Sequence, residues 1–368
     1  MKIQYTYSRS QWTSFLILTV NLQTRTESPL HTKTVRNFKT LLLLISTLIG
    51  VSSCGVLVDH GVAPEPQISP LASGLVAPLG LEVDAKGQVW VTEAGSGTAN
   101  DGQLSLITPD GILYPVVKGF SSLVSPEGAV FGLNQLLLQG NTLWLLHGIE
   151  GRLYKLDISQ FGPGSAPLRA DQLEYEDIGT FVKGYVFDRD TDASDVFDLT
   201  AGPDGDLFIA DAAANAVIRR KATTKELSVF AMLPPIISGT DTLEAVPTGI
   251  VFDGQKFLVS NFTGYPYPAQ KAPIYQIDLT GKTSVYQTGF STLSGIELAA
   301  DQTPIVLEYG TWTGQGFDEK SGTIVRAAPQ ANTRLVSGLN FPNAIKRSGA
   351  NTYYIAQTFD GIIQKVTL

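Results

Sequence analysis

One short pattern recurs six times along this chain, and no other feature limits its folding as much. A turn leading into an apolar strand is written as Pro78-Leu-Gly-Leu, Pro126-Glu-Gly-Ala, Val196-Phe-Asp-Leu, Pro247-Thr-Gly-Ile, Leu293-Ser-Gly-Ile and Pro342-Asn-Ala-Ile. Each is followed by a polar turn, such as DAKG at 84–87 or PDGD at 203–206, and then by a β-rich run: QVWVTE, TLWLLH, DLFIAD, KFLVSN, PIVLEY and TYYIAQ. A third strand follows, and in most units a fourth that ends in a Gly-apolar pair such as Gly119-Phe120 or Gly289-Phe290. Four short strands with Gly-rich turns, repeated at a period of about 50 residues, describe the blade of a β-propeller. The fold predicted is all-β, a six-bladed β-propeller with four-stranded blades. The interval between the second and third units is about 20 residues longer than the rest. Its excess falls in a Pro/Gly/Asp-rich stretch near 159–192, read as an insertion projecting from one face.

The sixth unit stops at Leu368 after its third strand. The missing outer strand is supplied from the other end, because Ile68-Ser-Pro-Leu-Ala-Ser-Gly-Leu75 repeats the pattern of Thr333-Arg-Leu-Val-Ser-Gly-Leu339. An N-terminal strand closing the last blade removes the exposed sheet edges that would invite aggregation. Residues 68–368 therefore read as one closed domain. Its turns account for most of the 36 Gly and 20 Pro, and the charged fraction is 16%, below the usual ~25%, which excludes a coiled coil or a disordered chain.

Ahead of the propeller, Arg36 and Lys39 precede an apolar run from Leu41 to Val51 and then Ser52-Ser53-Cys54. Eleven residues suit the core of a signal peptide and fall short of the ~20 needed to span a bilayer. Small residues before a cysteine resemble the lipobox of bacterial lipoproteins, which implies cleavage before Cys54 and lipidation of that residue. The alternative is an inert cysteine behind an ordinary signal. The organisation expected is a leader at 1–53 and a tether at 54–67. The signal peptide itself occupies 35–53, and 1–34 lies upstream of a translation start at Val35. The whole chain carries a net charge of -8, and loss of the leader leaves 20 basic against 33 acidic residues, a formal -13. Such a surface excludes nucleic acid as a partner and tolerates cations. One cysteine cannot build a disulfide framework or a Cys-rich zinc site.

In each unit a polar residue follows the second strand: Glu93, His147, Asp211, Asn261, Glu308 and Gln357. Facing the channel mouth, Glu93, Asp211, Asn261 and Glu308 would offer oxygen ligands to one hard cation such as Ca²⁺. Facing the turns, the same residues would cap backbone N–H groups blade by blade. A second ring lies two residues into each unit: Gly80, Gly128, Asp198, Gly249, Gly295 and Ala344. Asp198 alone is large and charged there, either hydrogen-bonded internally or acting in the channel as ligand or base. The segment from Asp188 to Asp195 alternates acidic residues but lacks the Gly and Glu of an EF-hand. Tyr265 and Tyr267, in Gly-Tyr-Pro-Tyr-Pro, either offer aromatic faces to a ligand or pack over their blade. His147 is the one histidine of the propeller, since His31 and His60 precede it, and no nucleophile elbow, zinc-protease motif or P-loop occurs.

PLGLEVDAKGQVWVTEAGSG (78–97), DVFDLTAGPDGDLFIADAAANAVIRR (195–220), VPTGIVFDGQKFLVSNFTGYPYP (246–268) and VLEYG (306–310) together resemble the NHL-type propellers and, more closely, the ScyD/ScyE family of exported bacterial proteins. Where that family starts its third blade with an Asn-Pro-Tyr-Gly-like turn, this chain has Asp195-Val-Phe-Asp198. The resemblance implies an envelope or extracellular protein with no assigned reaction, expected to act as a monomer. Its role would be to bind a small molecule or a protein partner. The alternative is a Ca²⁺-dependent hydrolase or lyase, whose channel carboxylates resemble the arrangement in six-bladed lactonases, with Glu93, Asp198 or Glu308 as base.

Overall fold

The structure, a computed structural model, describes residues 65–98, 100–125, 129–188, 193–329 and 331–368. Cys54, the leader and most of the tether lie outside the described residues. The described residues form six four-stranded antiparallel blades. Their inner strands are Pro78–Val83, Leu133–Gln139, Val196–Ala201, Pro247–Phe252, Leu293–Leu298 and Pro342–Arg347, each touching the inner strand of the next blade until the ring closes. In the last blade, Pro342–Arg347, Thr352–Gln357 and Ile362–Thr367 are joined by Gln67–Ser73, which runs antiparallel to Ile362–Thr367 from Gln67 opposite Thr367 to Ser73 opposite Ile362. The closing strand is where the repeat pattern puts it.

Sequence explains these elements locally. The second strands are apolar and almost wholly buried, and hydrophobic clusters join neighbouring blades: Trp90, Leu104 and Phe120 of blade one pack with Leu133, Leu145 and Tyr154 of blade two. Sheet against sheet is the only burial available to a short four-stranded unit. The Gly-apolar pairs mark a bulge in the outer strand. Gly102 pairs with Phe120 and Gln103 with Lys118, so Gly119 is skipped and takes φ +90°, which turns Phe120 into the core. The small inner ring has a steric cause as well, since a Cβ on Gly80 would meet the Leu136 side chain at 2.8 Å and the Asn134 carbonyl at 2.9 Å.

Blade two departs from the sequence pattern. Its inner strand starts at Leu133, which pairs with His147 as Pro78 pairs with Glu93, and not at Pro126. Pro126, Glu127 and Gly128 lie outside the described residues, beside a two-residue hairpin of Leu123–Val124 and Val130–Phe131. The position equivalent to Gly80 is thus held by Gln135, whose Nε2 donates to the Leu79 carbonyl at 2.9 Å, and not by Gly128. The long stretch 159–192 is woven into the ring more than it projects. Tyr175–Asp177 is the outer strand of blade two, Leu168–Arg169 adds a parallel strand to blade one, and the short helix Gly179–Gly184 buries Val182 behind blades two and three.

On one face of the ring, here the upper face, every inner strand begins and every second strand ends. The residue just before the inner strand is left-handed in four blades: Ala77 (φ +50°), Val246 (+54°), Thr292 (+38°) and Phe341 (+49°). For a residue with a Cβ this conformation costs on the order of 1 kcal/mol. Something must hold it.

Candidate functional site

The polar residues at the ends of the second strands do the holding. Glu93 accepts the Val76 N–H at 2.6 Å, Glu308 the Ser291 N–H at 2.9 Å and Gln357 the Asn340 N–H at 2.5 Å. In each case the donor sits one residue ahead of the left-handed kink. Glu93 also takes the Gln103 amide and the Ser105 hydroxyl, and Glu308 takes the Thr323 hydroxyl. Asp211 accepts four bonds, from the N–H groups of Asp195, Ala213 and Ala214 and from the Ser194 hydroxyl. Capping is therefore the observed duty of Glu93, Asp211, Glu308 and Gln357 in this ring. The structure corrects the idea that Glu93, Asp211, Asn261 and Glu308 converge on one cation. Each binds backbone or side chains of its own blade junction, and no group of three or more His, Cys, Asp and Glu among the described residues could hold a metal ion. The acidic run from Asp188 to Asp195 falls largely outside the described residues.

His147 fills the same position differently. Its Nε2 donates to the Ser121 carbonyl at 2.9 Å and its Nδ1 accepts the Glu150 N–H at 3.4 Å. Burial is the main cause holding its pKa below the ordinary value, so the ring is neutral near pH 7. The Ser121 hydroxyl lies 3.0 Å from Nε2 but donates to Glu150 Oε1. With its proton committed to the carboxylate, this serine is not set up for deprotonation by the histidine.

Asp198 lines the channel, as its place in the second ring suggested. Its Oδ2 accepts the Ile250 N–H and its Oδ1 the Leu199 N–H, both at 2.8 Å. Two residues further along other inner strands, Lys346 donates to Glu82 at 2.9 Å and approaches Glu297 at 3.6 Å. Burial opposes the ammonium charge, yet Glu82 and Glu297 outweigh it and keep the Lys346 pKa above its usual range. Burial also pushes the Asp198 carboxyl up to about 7. The cavity these groups share holds about 60 Å³. At roughly 30 Å³ per water this is room for two waters and for no organic substrate. The channel cluster ties blades together.

A second acid pair sits on the upper face between blades two and three. Asp195 receives the Asn134 amide at 2.9 Å and offers its own N–H to Asp211. Burial, then the charge of Asp211, pushes the Asp195 carboxyl up to about 7. The sequence drew attention to Asp198 and overlooked Asp195, whose partner Asn134 comes from a blade start that carries no Pro or Gly.

Blades four and five carry the other feature of this face. Tyr267, Phe262, Tyr309, Phe317 and Phe341 form one buried aromatic cluster. Trp312 packs on Tyr267 at 5.2 Å between centroids and on Phe317 at 5.0 Å, and Tyr265 meets Tyr267 at 5.8 Å. The two candidate tyrosines therefore divide the duties considered for them: Tyr267 is 5% exposed and packs, whereas Tyr265 is 66% exposed and presents its ring. Polar atoms without a hydrogen-bond partner gather in and beside this cluster: Asn261 Oδ1, Thr263 Oγ1 and the Tyr309 hydroxyl, all buried. Asn261 has turned away from the capping duty, donating its amide to the carbonyls of Val259 and Pro273. Val246, the kinked residue here, is held by Asn215 Oδ1 of blade three at 2.8 Å. Burial raises the Tyr309 pKa well above its ordinary value.

No family model matches this chain, and no curated protein matches it. Solved structures do. A protein of unknown function from Bacteroides thetaiotaomicron superposes with a TM-score of 0.56 at 12% identity, over 82% of this chain and 76% of that one. A candidate gluconolactonase gives 0.51 at 16% identity, over 82% and 92%. A streptogramin B lyase gives 0.51 at 15% identity, over 82% and 98%. At these identities the likeness establishes the six-bladed propeller fold, a fold that serves enzymes among other proteins.

Proposed function

We propose that this chain is an exported, envelope-facing propeller, anchored through a lipid on Cys54, that binds a small molecule on its upper face at blades four and five. The ligand has a flat apolar part that lies against Tyr265 and Trp312. The observation that carries this reading is the aromatic stack itself. An exposed ring and a half-buried one rest on five buried aromatic side chains, so the platform is rigid before a ligand arrives and little side-chain entropy is lost on binding. The buried polar atoms without partners at the same place support it, since a satisfied fold seldom leaves several of them together. Titration with a naphthalene sulfonate dye tests the reading. Saturable binding is expected, weakened at least about tenfold by Trp312→Ala and by Tyr265→Ala with little change in melting temperature. Dye binding that ignores both substitutions would rule it out. Fatty-acid labelling that is lost in Cys54→Ala tests the anchor.

One observation favours a second reading, catalysis by a hydrolase or lyase of this face. Asp195, half-buried, and Asp211, buried, form an acid pair in which burial and the Asp211 charge push the Asp195 carboxyl up to about 7, the property wanted of a general acid or base. Turnover of a panel of lactones and esters, abolished in Asp195→Asn, would establish it.

A further inference from the structure

We propose that the cleft behind the loop from Tyr309 to Ser321 is a second binding site, selective for a small polyhydroxylated carboxylate of the uronic-acid class. The cleft lies on the upper face between blades four and five and has a volume of about 250 Å³. That space corresponds to roughly eight waters, enough for one monosaccharide-sized molecule. The loop has two sides. Tyr309, Trp312 and Phe317 face the aromatic cluster, while Gly310, Thr311, Lys320 and Ser321 line the cleft.

Charge defines what the cleft would take. Lys320 and Arg334 both line it, and neither takes part in any ion pair among the described residues. Several cations elsewhere are committed: Arg219 to Asp206, Arg220 to Glu176, Lys256 to Asp253 and Lys346 to Glu82. On a strongly acidic protein, Lys320 and Arg334 against the single carboxylate of Glu308 leave this cleft lined with net positive charge. A guanidinium and an ammonium on the wall of one cleft can recognise a carboxylate.

The remaining wall selects hydroxyl groups. Glu308 borders the cleft, half-buried, with each carboxylate oxygen accepting one bond, from the Ser291 N–H and from the Thr323 hydroxyl. A carboxylate oxygen accepts two, so both keep capacity for a ligand O–H. Ser291, Thr311, Ser321, Thr323 and Ser337 also line the cleft. The negative charge of Glu308 disfavours a dianionic phosphate, and the hydroxyl-rich wall suits a ring carrying several O–H groups more than a bare organic acid.

The site is distinct from the aromatic platform, so the two readings fail separately. Calorimetry on the purified protein with galacturonate, galactose, inorganic phosphate and serine as probes tests it, together with the double variant Arg334→Gln/Lys320→Gln. Both residues are exposed, and an unchanged melting curve verifies the fold of the variant. Galacturonate is expected to bind at least about tenfold more tightly than galactose and to lose at least about tenfold in the double variant. It should bind Trp312→Ala as it binds the wild type. The proposal is overturned if galactose binds equally well, if phosphate or serine binds more tightly than galacturonate, if the double variant keeps its affinity, or if no probe binds.

Discussion

The starts of blade one and blade four solve the same problem in opposite ways. In both, the chain kinks through a left-handed residue, Ala77 or Val246, before entering the inner strand. In blade one the polar residue across the ladder, Glu93, accepts the N–H before the kink on one oxygen and the Gln103 amide and Ser105 hydroxyl on the other. In blade four Asn261 leaves its Oδ1 without a partner, a neighbouring blade supplies the holding bond through Asn215, and the kinked residue is β-branched. A β-branched residue is among the worst choices for that conformation. Where both oxygens are engaged within the blade, the polar ring is architecture. Where strain and unpaired polar atoms collect under an aromatic lid, stability has been spent on something else.

The contrast can be broken at its strongest point. Asp211→Ala strips the acceptor from three N–H groups and a hydroxyl, and about 3 to 4 kcal/mol of unfolding free energy should be lost; denaturant titration checks it. Glu93→Ala should cost less, about 2 kcal/mol, because Gln103 and Ser105 can turn to other partners. If either variant keeps wild-type stability, the ring is not a set of caps.

The acid pair gives an effect of intermediate size that depends on pH. The Asp195 carboxyl stands near 7 in the fold, above the 3.8 it has when unfolded. The folded state therefore holds the proton longer, and the contribution of this group to stability is full below about pH 4 and is lost as pH rises toward 7. Asp195→Asn should remove that slope and melt above wild type at pH 8, by on the order of 1 kcal/mol, with a smaller gain at pH 5. His147 has the opposite sign. Its pKa is depressed in the fold, so its contribution is lost as pH falls below the ordinary histidine value, and His147→Gln should soften acid unfolding. At blade five, Tyr309→Phe removes a buried hydroxyl that has no partner and should leave stability unchanged or raise it by up to about 1 kcal/mol. A clear loss there would mean that the hydroxyl is bonded in solution and that the two blades differ less than they seem.

The fold was legible because a propeller is built from near neighbours: each strand pairs with the next in sequence, so the repeat exposes the blade and its closure. Blade two hid its start for the same reason in reverse. Leu133-Asn-Gln-Leu carries neither the Pro nor the Gly of the other units, while Pro126-Glu-Gly-Ala carries both without being the inner strand. The capping ring could be located by position, but its duty could not. Whether Glu93 meets a cation or the Val76 N–H depends on a kink that only the three-dimensional turn reveals. The sites proposed for ligands were hardest to see. Trp312 and Lys320 sit on a long loop inside blade five and Arg334 on its outer strand, and spacing along the chain carries no information about how such a loop folds back.

The strand that closes the ring is also the first strand of the chain to enter it. Gln67 pairs with Thr367, one residue from the last, so the seam of the propeller lies where the preceding segment arrives. A force transmitted along that segment is borne by the six paired positions between Gln67 and Ser73 before any other blade feels it. A pull on the chain ahead of Gln67 strong enough to peel this strand would open the ring at its seam, and release of the load would let the same strand close it again.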